Sequence, residues 1–480
     1  MTTNQVAKNH ELKLSPETMR SLGYRVVDML VEHFEGLPSQ SAVPPKGEPT
    51  VLRTLLDEPL PQMGTDINHL LDQVVQDIFG YIGHVDHPRF FAFVPSPNNF
   101  VSVMADALVA GFTPFAGTWL EASGPAQIEL TTVDWLRQTC GLPAEAGGLF
   151  VSGGSMANIT GLAVARHVKL NDRLEGATVY FSDQTHSSVE RGLRLLGFQP
   201  EQLCKLEADD AFRLDLAVLK TAINADRGQG RRPFCIVANA GATNTGAIDP
   251  LPELADYCRQ EGLWLHVDGA YGAAAALSER GKTLLAGLEQ ADSLSLDPHK
   301  WLFQPYEIAC VIVKNRQWLK DTFHILPEYM VDVAGQGEEI NFCDYGIQLT
   351  RSFRALKLWL SLKYFGQAAF AGAIARGFEL ADYAETVLRE MPDWQIVTPA
   401  QMAVINFRYA PQGVDPTEFN HLNKALVEKM LVDGLAMVVS TTLKGQTVLR
   451  FCTINPRTTE ADIRQTLEKF DALGQDLLQK

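Results

Sequence analysis

Four hundred and eighty residues, 46% of them hydrophobic and 20% charged, make a chain too apolar for intrinsic disorder and long enough for roughly two to three domains. Forty-one Lys and Arg against fifty-seven Asp and Glu leave a net charge of −16, an acidic surface that repels phosphate backbones and anionic membranes, so neither nucleic acid nor membrane is expected as a partner. Apolar stretches are broken well short of the ~18 residues a membrane span needs, as where Asp106 interrupts Val101 to Phe112.

The chain opens on a polar stretch with Lys8, Asn9, His10, Glu11 and Lys13, which has no hydrophobic secretory core, so a cytoplasmic protein is expected. Ser15 as N-cap and Pro16 as first residue predict a helix. Leu22, Val26, Val27, Leu30 and Phe34 keep helical spacing, but Met19, Tyr24, Met29 and Val31 widen the apolar stripe beyond one core's need, which predicts burial against a second subunit. Ser39 to Pro49 (SQSAVPPKGEP) reads as an extended connector.

From about Gly147, short β-rich runs alternate with helical patterns: Leu149 to Val151, Val179 to Ser182, Phe234 to Asn239, Leu263 to Asp268, Ser293 to Leu296 and Ala309 to Val313. Such alternation predicts an α/β fold with a mainly parallel sheet covered by helices on both faces, and ligands in such sheets sit at the carboxyl ends of the strands. After a helical stretch near Phe353 to Phe365, β-like runs at Gln395 to Val397, Val404 to Tyr409, Met437 to Thr442 and Thr447 to Cys452 indicate a smaller α+β domain, whose last helix opens on a near capping box, Thr459 and Asp462. The predicted division is 1–95 helical lobe, 96–370 large α/β domain, 371–480 small domain. Seven scattered cysteines without a CxxC pair predict buried free thiols, no disulfide framework and no metal site.

Four segments carry chemistry. In SLSLDPHKW (Ser293 to Trp301) an apolar run ends and Lys300 follows in a turn, where it faces either solvent or a ligand. LWLHVDGAY closes an apolar run with Asp268, a carboxylate whose desolvation calls for a specific partner, unless it caps a helix. FVSGGSMANITG runs from a strand through glycines into a helix whose N-terminus suits a phosphate, although it is neither a Walker motif nor a GxGxxG fingerprint. His186 in SDQTHSSVERG follows another strand and can stack on a flat ligand or serve as a hydrogen-bonded structural residue. Phosphate cradle, acid, lysine and stacking imidazole are together what pyridoxal 5′-phosphate (PLP) requires.

SGGSMAN, SDQTHSSVERG, HVDGAYG and DPHKW, in this order, together with HPRFFAFVPSP, RSFRALKLW and FCTINPRTT, resemble the PLP-dependent group II amino-acid decarboxylases, particularly the aromatic-L-amino-acid decarboxylase branch. The resemblance covers nearly the whole chain. It implies PLP fold type I: an N-terminal helical lobe, a large seven-stranded mostly parallel sheet domain, a small C-terminal α+β domain, and an intertwined homodimer. By motif, Lys300 is the lysine that carries the cofactor as an aldimine, Asp268 pairs with its pyridine nitrogen and His186 stacks on its ring. Gly154 and Ser155 match phosphate contacts, with Asp297 and His299 close by, while Thr243 and Ala270 lie near the ring. Many relatives have asparagine in place of Asp297, and a carboxylate there needs a bridging donor or another orientation.

Pro327 to Asn341 (PEYMVDVAGQGEEIN) reads as an exposed loop, the family's catalytic loop by resemblance, with Tyr329 as the residue that helps protonate the carbanion. An aldehyde-forming group tends to lose this tyrosine or the stacking histidine, and both are retained here. Phe93, Val94, Pro95 and Ser96 match a pocket segment of aromatic decarboxylases, or belong to the core; Thr350 adds a hydroxyl near the substrate, or caps a turn. The expected function is decarboxylation of an L-amino acid, aromatic before acidic or diamino, to an amine and CO₂. The alternatives are an aldehyde-forming decarboxylase and, from another class, a non-enzymatic phosphate-binding α/β protein.

Overall fold

Each predicted β-rich run forms a strand in the computed structural model, which describes residues 12–325, 328 and 337–479. The first seven strands are β1 (Gly147–Val151), β2 (Ala177–Ser182), β3 (Leu203–Leu206), β4 (Arg232–Asn239), β5 (Trp264–Asp268), β6 (Ser293–Leu296) and β7 (Ala309–Val313). They form one sheet in the order β1-β7-β6-β5-β4-β2-β3. Only β7 is reversed: it runs antiparallel to both β1 and β6, whereas β6, β5, β4, β2 and β3 pair in parallel. The hydrophobic pattern does not predict β3. LCKL is short, polar at Lys205 and lies on the sheet's edge, where one-sided pairing leaves little hydrophobic signal.

Strands buried on both faces read as continuous apolar runs. Phe150, Tyr180, Ile236, Leu265, Leu294 and Ile312 enter one core, while their chain neighbours Leu149, Val179, Cys235, Trp264 and Val311 enter the other. The first strand is held by a buried ion pair. Arg351 Nη2 donates to Glu129 Oε1 at 2.6 Å and to the Phe150 carbonyl at 2.8 Å, and Glu129 Oε1 accepts the Phe150 N–H at 2.8 Å.

The second sheet contains β8 (Trp394–Gln401), β9 (Val404–Tyr409), β10 (Val439–Leu443) and β11 (Gln446–Cys452), in antiparallel order β10-β11-β9-β8. Phe407, Phe451, Leu426, Ile463 and Phe470 belong to its separate core. The final helix, Glu460–Leu478, has the predicted box: Asp462 N–H donates to Thr459 Oγ1 at 3.2 Å, and Thr459 N–H to Asp462 Oδ2 at 2.9 Å.

At the other end, Ser15 caps the helix Pro16–Gly36 by accepting the Thr18 N–H, as expected. Helix Pro49–Leu56 follows the connector and helix Ile67–Gln73 comes next; none of the three contains a buried residue. All seven cysteines are free, and all are buried except Cys204, which is half-buried on the edge strand β3. No helix among the described residues is long and apolar enough to cross a membrane.

Candidate active site

Because β7 alone is reversed, β1, β2, β4, β5 and β6 end on the same edge of the sheet. After β1, Gly153 and Gly154 lead into helix Gly154–Leu170. After β2, His186 caps helix Ser187–Leu195 through its ring Nδ1, which accepts the Ser188 N–H at 3.3 Å. β5 ends at Asp268, and β6 is followed by the turn that carries Asp297, His299 and Lys300. These groups share a cavity of about 340 Å³ with Ser155, Thr243 and Ala270. The sequence motifs point to all of them; the fold brings them to one place from five strand ends.

Lys300 Nζ lies 2.9 Å from Asp297 Oδ2. Burial works against its ammonium, but the charge of Asp297 and its hydrogen bond prevail, and Lys300 stands above the ordinary lysine value. Burial pushes His186 below the usual imidazole value, against the pull of the Asp268 carboxylate. His299 is lowered for the same reason; its Nδ1 is paired with the Ile308 carbonyl at 2.7 Å. Asp268 only accepts: Oδ2 from Asn158 Nδ2 at 2.9 Å, Oδ1 from Ser295 Oγ at 3.1 Å and from the Ala270 N–H at 3.2 Å. Such a set suits an anion facing a cationic ring N–H.

The donor set fits PLP. A Cβ on Gly154 would stand 2.6 Å from Asp297 Oδ2 and 3.1 Å from the Ala270 methyl, so only glycine leaves that floor open. The first turn of helix Gly154–Leu170 presents unpaired backbone N–H groups and its positive dipole end. Asp297 Oδ2 is paired with Lys300, and its Oδ1 is buried without a hydrogen-bond partner among the described residues.

Three groups around Asp268 escaped sequence reading: Asn158, Ser188 and His266. The signal was present, since His266 precedes Asp268 by one strand period and Asn158 follows Gly154 by one helical turn. Arg450 also escaped notice; buried on β11, it donates to the Phe93 carbonyl and has Nε and Nη2 unpaired, two donors suited to an anion.

The matched substrate segment borders this cavity without lining it in the single chain. Phe93, Val94, Pro95, Ser96 and Thr350 are not among the residues lining this cavity. Phe93 is 59% exposed at φ 50°, a left-handed conformation rare for a bulky residue. The Ser96 hydroxyl is committed to the His299 carbonyl, and Thr350 is exposed. Tyr329 lies outside the described residues.

A lysine, a carboxylate-only acceptor, a covering imidazole and an open helix N-terminus on one sheet edge define the architecture of a PLP enzyme. Residues 49–410 match the family model described as the pyridoxal-dependent decarboxylase conserved domain. The chain is 50% identical over 98% of its length, and 98% of the relative's, to an aromatic-L-amino-acid decarboxylase of Bacillus atrophaeus. It is 30% identical to tyrosine decarboxylase 2 of Arabidopsis thaliana, covering 95% of this chain and 87% of that one. Among solved structures it is similar to Oryza sativa TDC with PLP and tryptamine (TM-score 0.92, 26% identity, 97% and 99% of the two chains). It is also similar to Catharanthus roseus tryptophan decarboxylase in complex with L-tryptophan (TM-score 0.90, 26% identity, 97% and 99%). The chain belongs to the pyridoxal-dependent decarboxylase family: it is a PLP-dependent carboxy-lyase of PLP fold type I, as the motif resemblance implied.

Proposed function

We propose that this enzyme converts an aromatic L-amino acid to its amine and CO₂ as a cytoplasmic homodimer. The observation that carries the reading is the meeting of Lys300, Asp268 and His186 at one cavity, in a chain half identical to an aromatic-L-amino-acid decarboxylase. PLP supplies the electron sink for the pair that departing CO₂ leaves behind. Lys300 would hold the cofactor through its amine, Asp268 would keep the cofactor's ring nitrogen protonated, and His186 would cover the ring. Gly154 and Ser155 hold the phosphate at the helix N-terminus, with His299 beside it and Thr243 and Ala270 against the ring; Asp297 holds the Lys300 ammonium before cofactor capture. Tyr329, by its motif position, would be the proton donor to the substrate carbon.

Phe93, Val94, Pro95, Ser96 and Thr350 form the substrate side-chain wall. Phe93 and Thr350 are exposed in the single chain, which supports a wall completed by a second copy. The unburied amino-terminal helices support the same dimer. The division into 1–95, 96–370 and 371–480 is part of this proposal, supported by a separate core beneath the second sheet.

Borohydride reduction followed by peptide mapping tests the assignment. The cofactor should be fixed on Lys300; labelling of another lysine would refute it. A panel of aromatic, acidic and diamino substrates, with CO₂, amine, ammonia and peroxide measured together, tests the reaction. One amine per CO₂ from an aromatic substrate is expected, whereas ammonia and peroxide would indicate an aldehyde-forming enzyme.

A further inference from the structure

Asp268 does not stand alone behind the cavity. Its carboxylate can only accept, so the Asn158 atom 2.9 Å from Oδ2 must be the amide nitrogen. The same nitrogen donates its second hydrogen to Ser188 Oγ, 3.0 Å away. Asn158 Oδ1 is therefore an acceptor, and His266 Nε2, which lies 3.0 Å from it, must carry a hydrogen. Buried completely, His266 is lowered to about 4 and stays neutral, which makes its Nδ1 an acceptor. That nitrogen takes the Ser293 hydroxyl at 2.7 Å, and Ser293 Oγ in turn accepts the Trp264 indole N–H at 2.8 Å. Every donor in the chain Trp264, Ser293, His266, Asn158 points toward Asp268, an arrangement in which each bond polarises the next.

The other branch ends on His186. Ser188 Oγ accepts from Asn158 and so donates to His186 Nδ1 at 2.8 Å, joining the Ser188 N–H on the same atom. Two donors on Nδ1 place the imidazole proton on Nε2. One carboxamide thereby sets both the orientation of the acid and the tautomer of the imidazole.

The helix carrying Asn158 makes room for this. A Cβ on Gly161 would stand 2.9 Å from His266 Cε1, 3.0 Å from Nδ1 and 3.3 Å from Ser293 Oγ. Glycine within a helix is less favourable than alanine. Here it leaves space for the imidazole.

We propose that Asn158 is a positioning residue that joins Asp268 and His186 into a single hydrogen-bonded unit, and that His266, held by Ser293 and Trp264, fixes the way round Asn158 sits. The inference rests on the reading of Asp268 as the partner of the ring nitrogen. Both are separated by comparing Asp268→Ala, Asn158→Ala, His266→Leu, His266→Gln and Gly161→Ala in the holoenzyme, by cofactor dissociation, the pH dependence of the cofactor's absorbance, kcat and KM. Asn158→Ala and His266→Leu should each weaken cofactor retention and lower kcat about 10- to 100-fold, the usual range for groups that orient a ligand-holding side chain, with KM within about threefold. Their absorbance should titrate at a different pH from the parent's. His266→Gln restores an N–H donor near the Nε2 position and should recover most of the loss, whereas Gly161→Ala removes no hydrogen-bonding atom and should show a smaller effect in the same direction.

Parent-like retention, titration and kcat in Asn158→Ala would overturn the proposal. So would equal damage from His266→Gln and His266→Leu, which would show that packing alone matters. Should Asn158→Ala fail to fold, the His266 pair decides. If Asp268→Ala itself binds and turns over normally, the assignment of the ring-nitrogen partner falls; if it is crippled while Asn158→Ala is silent, only the positioning role falls.

Discussion

The sheet edge and the amino-terminal helices solve opposite problems. At the edge, the polar groups around Asp268 find partners within the same chain, and the core beneath them is closed on both faces. In helices Pro16–Gly36, Pro49–Leu56 and Ile67–Gln73 no residue is buried, although Met19, Tyr24, Val51 and Leu55 are large and apolar. Exposed apolar area costs about 25 cal/mol per Å², and contiguous patches of it mark surfaces that associate. The hydrogen bonds around Asp268 close within a single chain, whereas the helices have the composition of an interface.

Substitutions at the edge should remove chemistry without changing assembly, beginning with the largest effect. Lys300→Ala should reduce turnover at least about 10⁴-fold and leave no borohydride-trapped cofactor, with the dimer intact by sedimentation. Residual trapping would show that a second lysine serves. Next, Glu129→Ala leaves the Arg351 charge buried without its carboxylate, a change that costs about 3–5 kcal/mol. Calorimetry should show a clear fall in melting temperature, while KM measured below that temperature stays close to the parent's.

The contrasting substitution is Tyr24→Glu with Val31→Glu, which puts charge on the exposed helix face. Sedimentation should show monomer at low micromolar concentration and a matching loss of activity, while melting of the large sheet changes little. Unaltered dimers would move the interface away from this helix.

The smallest effect is one of pH. Asp297 holds Lys300 above the ordinary lysine value, so the amine proposed to capture the cofactor stays protonated until pH rises through that raised value. Asp297→Asn should move the midpoint for cofactor capture by apoenzyme to lower pH, and at a fixed pH below both midpoints capture should quicken about tenfold for every pH unit the midpoint falls. The stabilising contribution of the pair in cofactor-free enzyme is complete below the free lysine's value and lost as pH rises through the raised one. Asp297→Asn should lower melting most at neutral pH and converge with the parent at strongly alkaline pH. A capture midpoint unmoved by the substitution would show that Asp297 does not govern Lys300.

Much of this was legible before any coordinates. Ser15 and Pro16 mark a helix start through local capping, and the alternation of apolar runs with helical patterns prescribes a largely parallel sheet, because strands buried on both faces leave a dense hydrophobic trace. β3 was missed because an edge strand leaves little such trace. Asn158, Ser188 and His266 were missed for a different reason. A buried polar side chain resembles any other polar residue until its partners are known, and these partners stand on separate elements.

Chain order and residue chemistry indicated the class of fold and marked Lys300, Asp268 and His186 as candidates, since each ends or follows a strand in a recognisable local pattern, while the roles proposed for them came from the motif resemblance. Only the tertiary structure decided that Asp297 turns to Lys300, that Phe93 and Thr350 lie outside the single chain's cavity, and that one asparagine links Asp268 to His186. Hydrogen-bond direction and desolvation depend on neighbours far apart in the chain, and those neighbours exist only once the sheet has assembled.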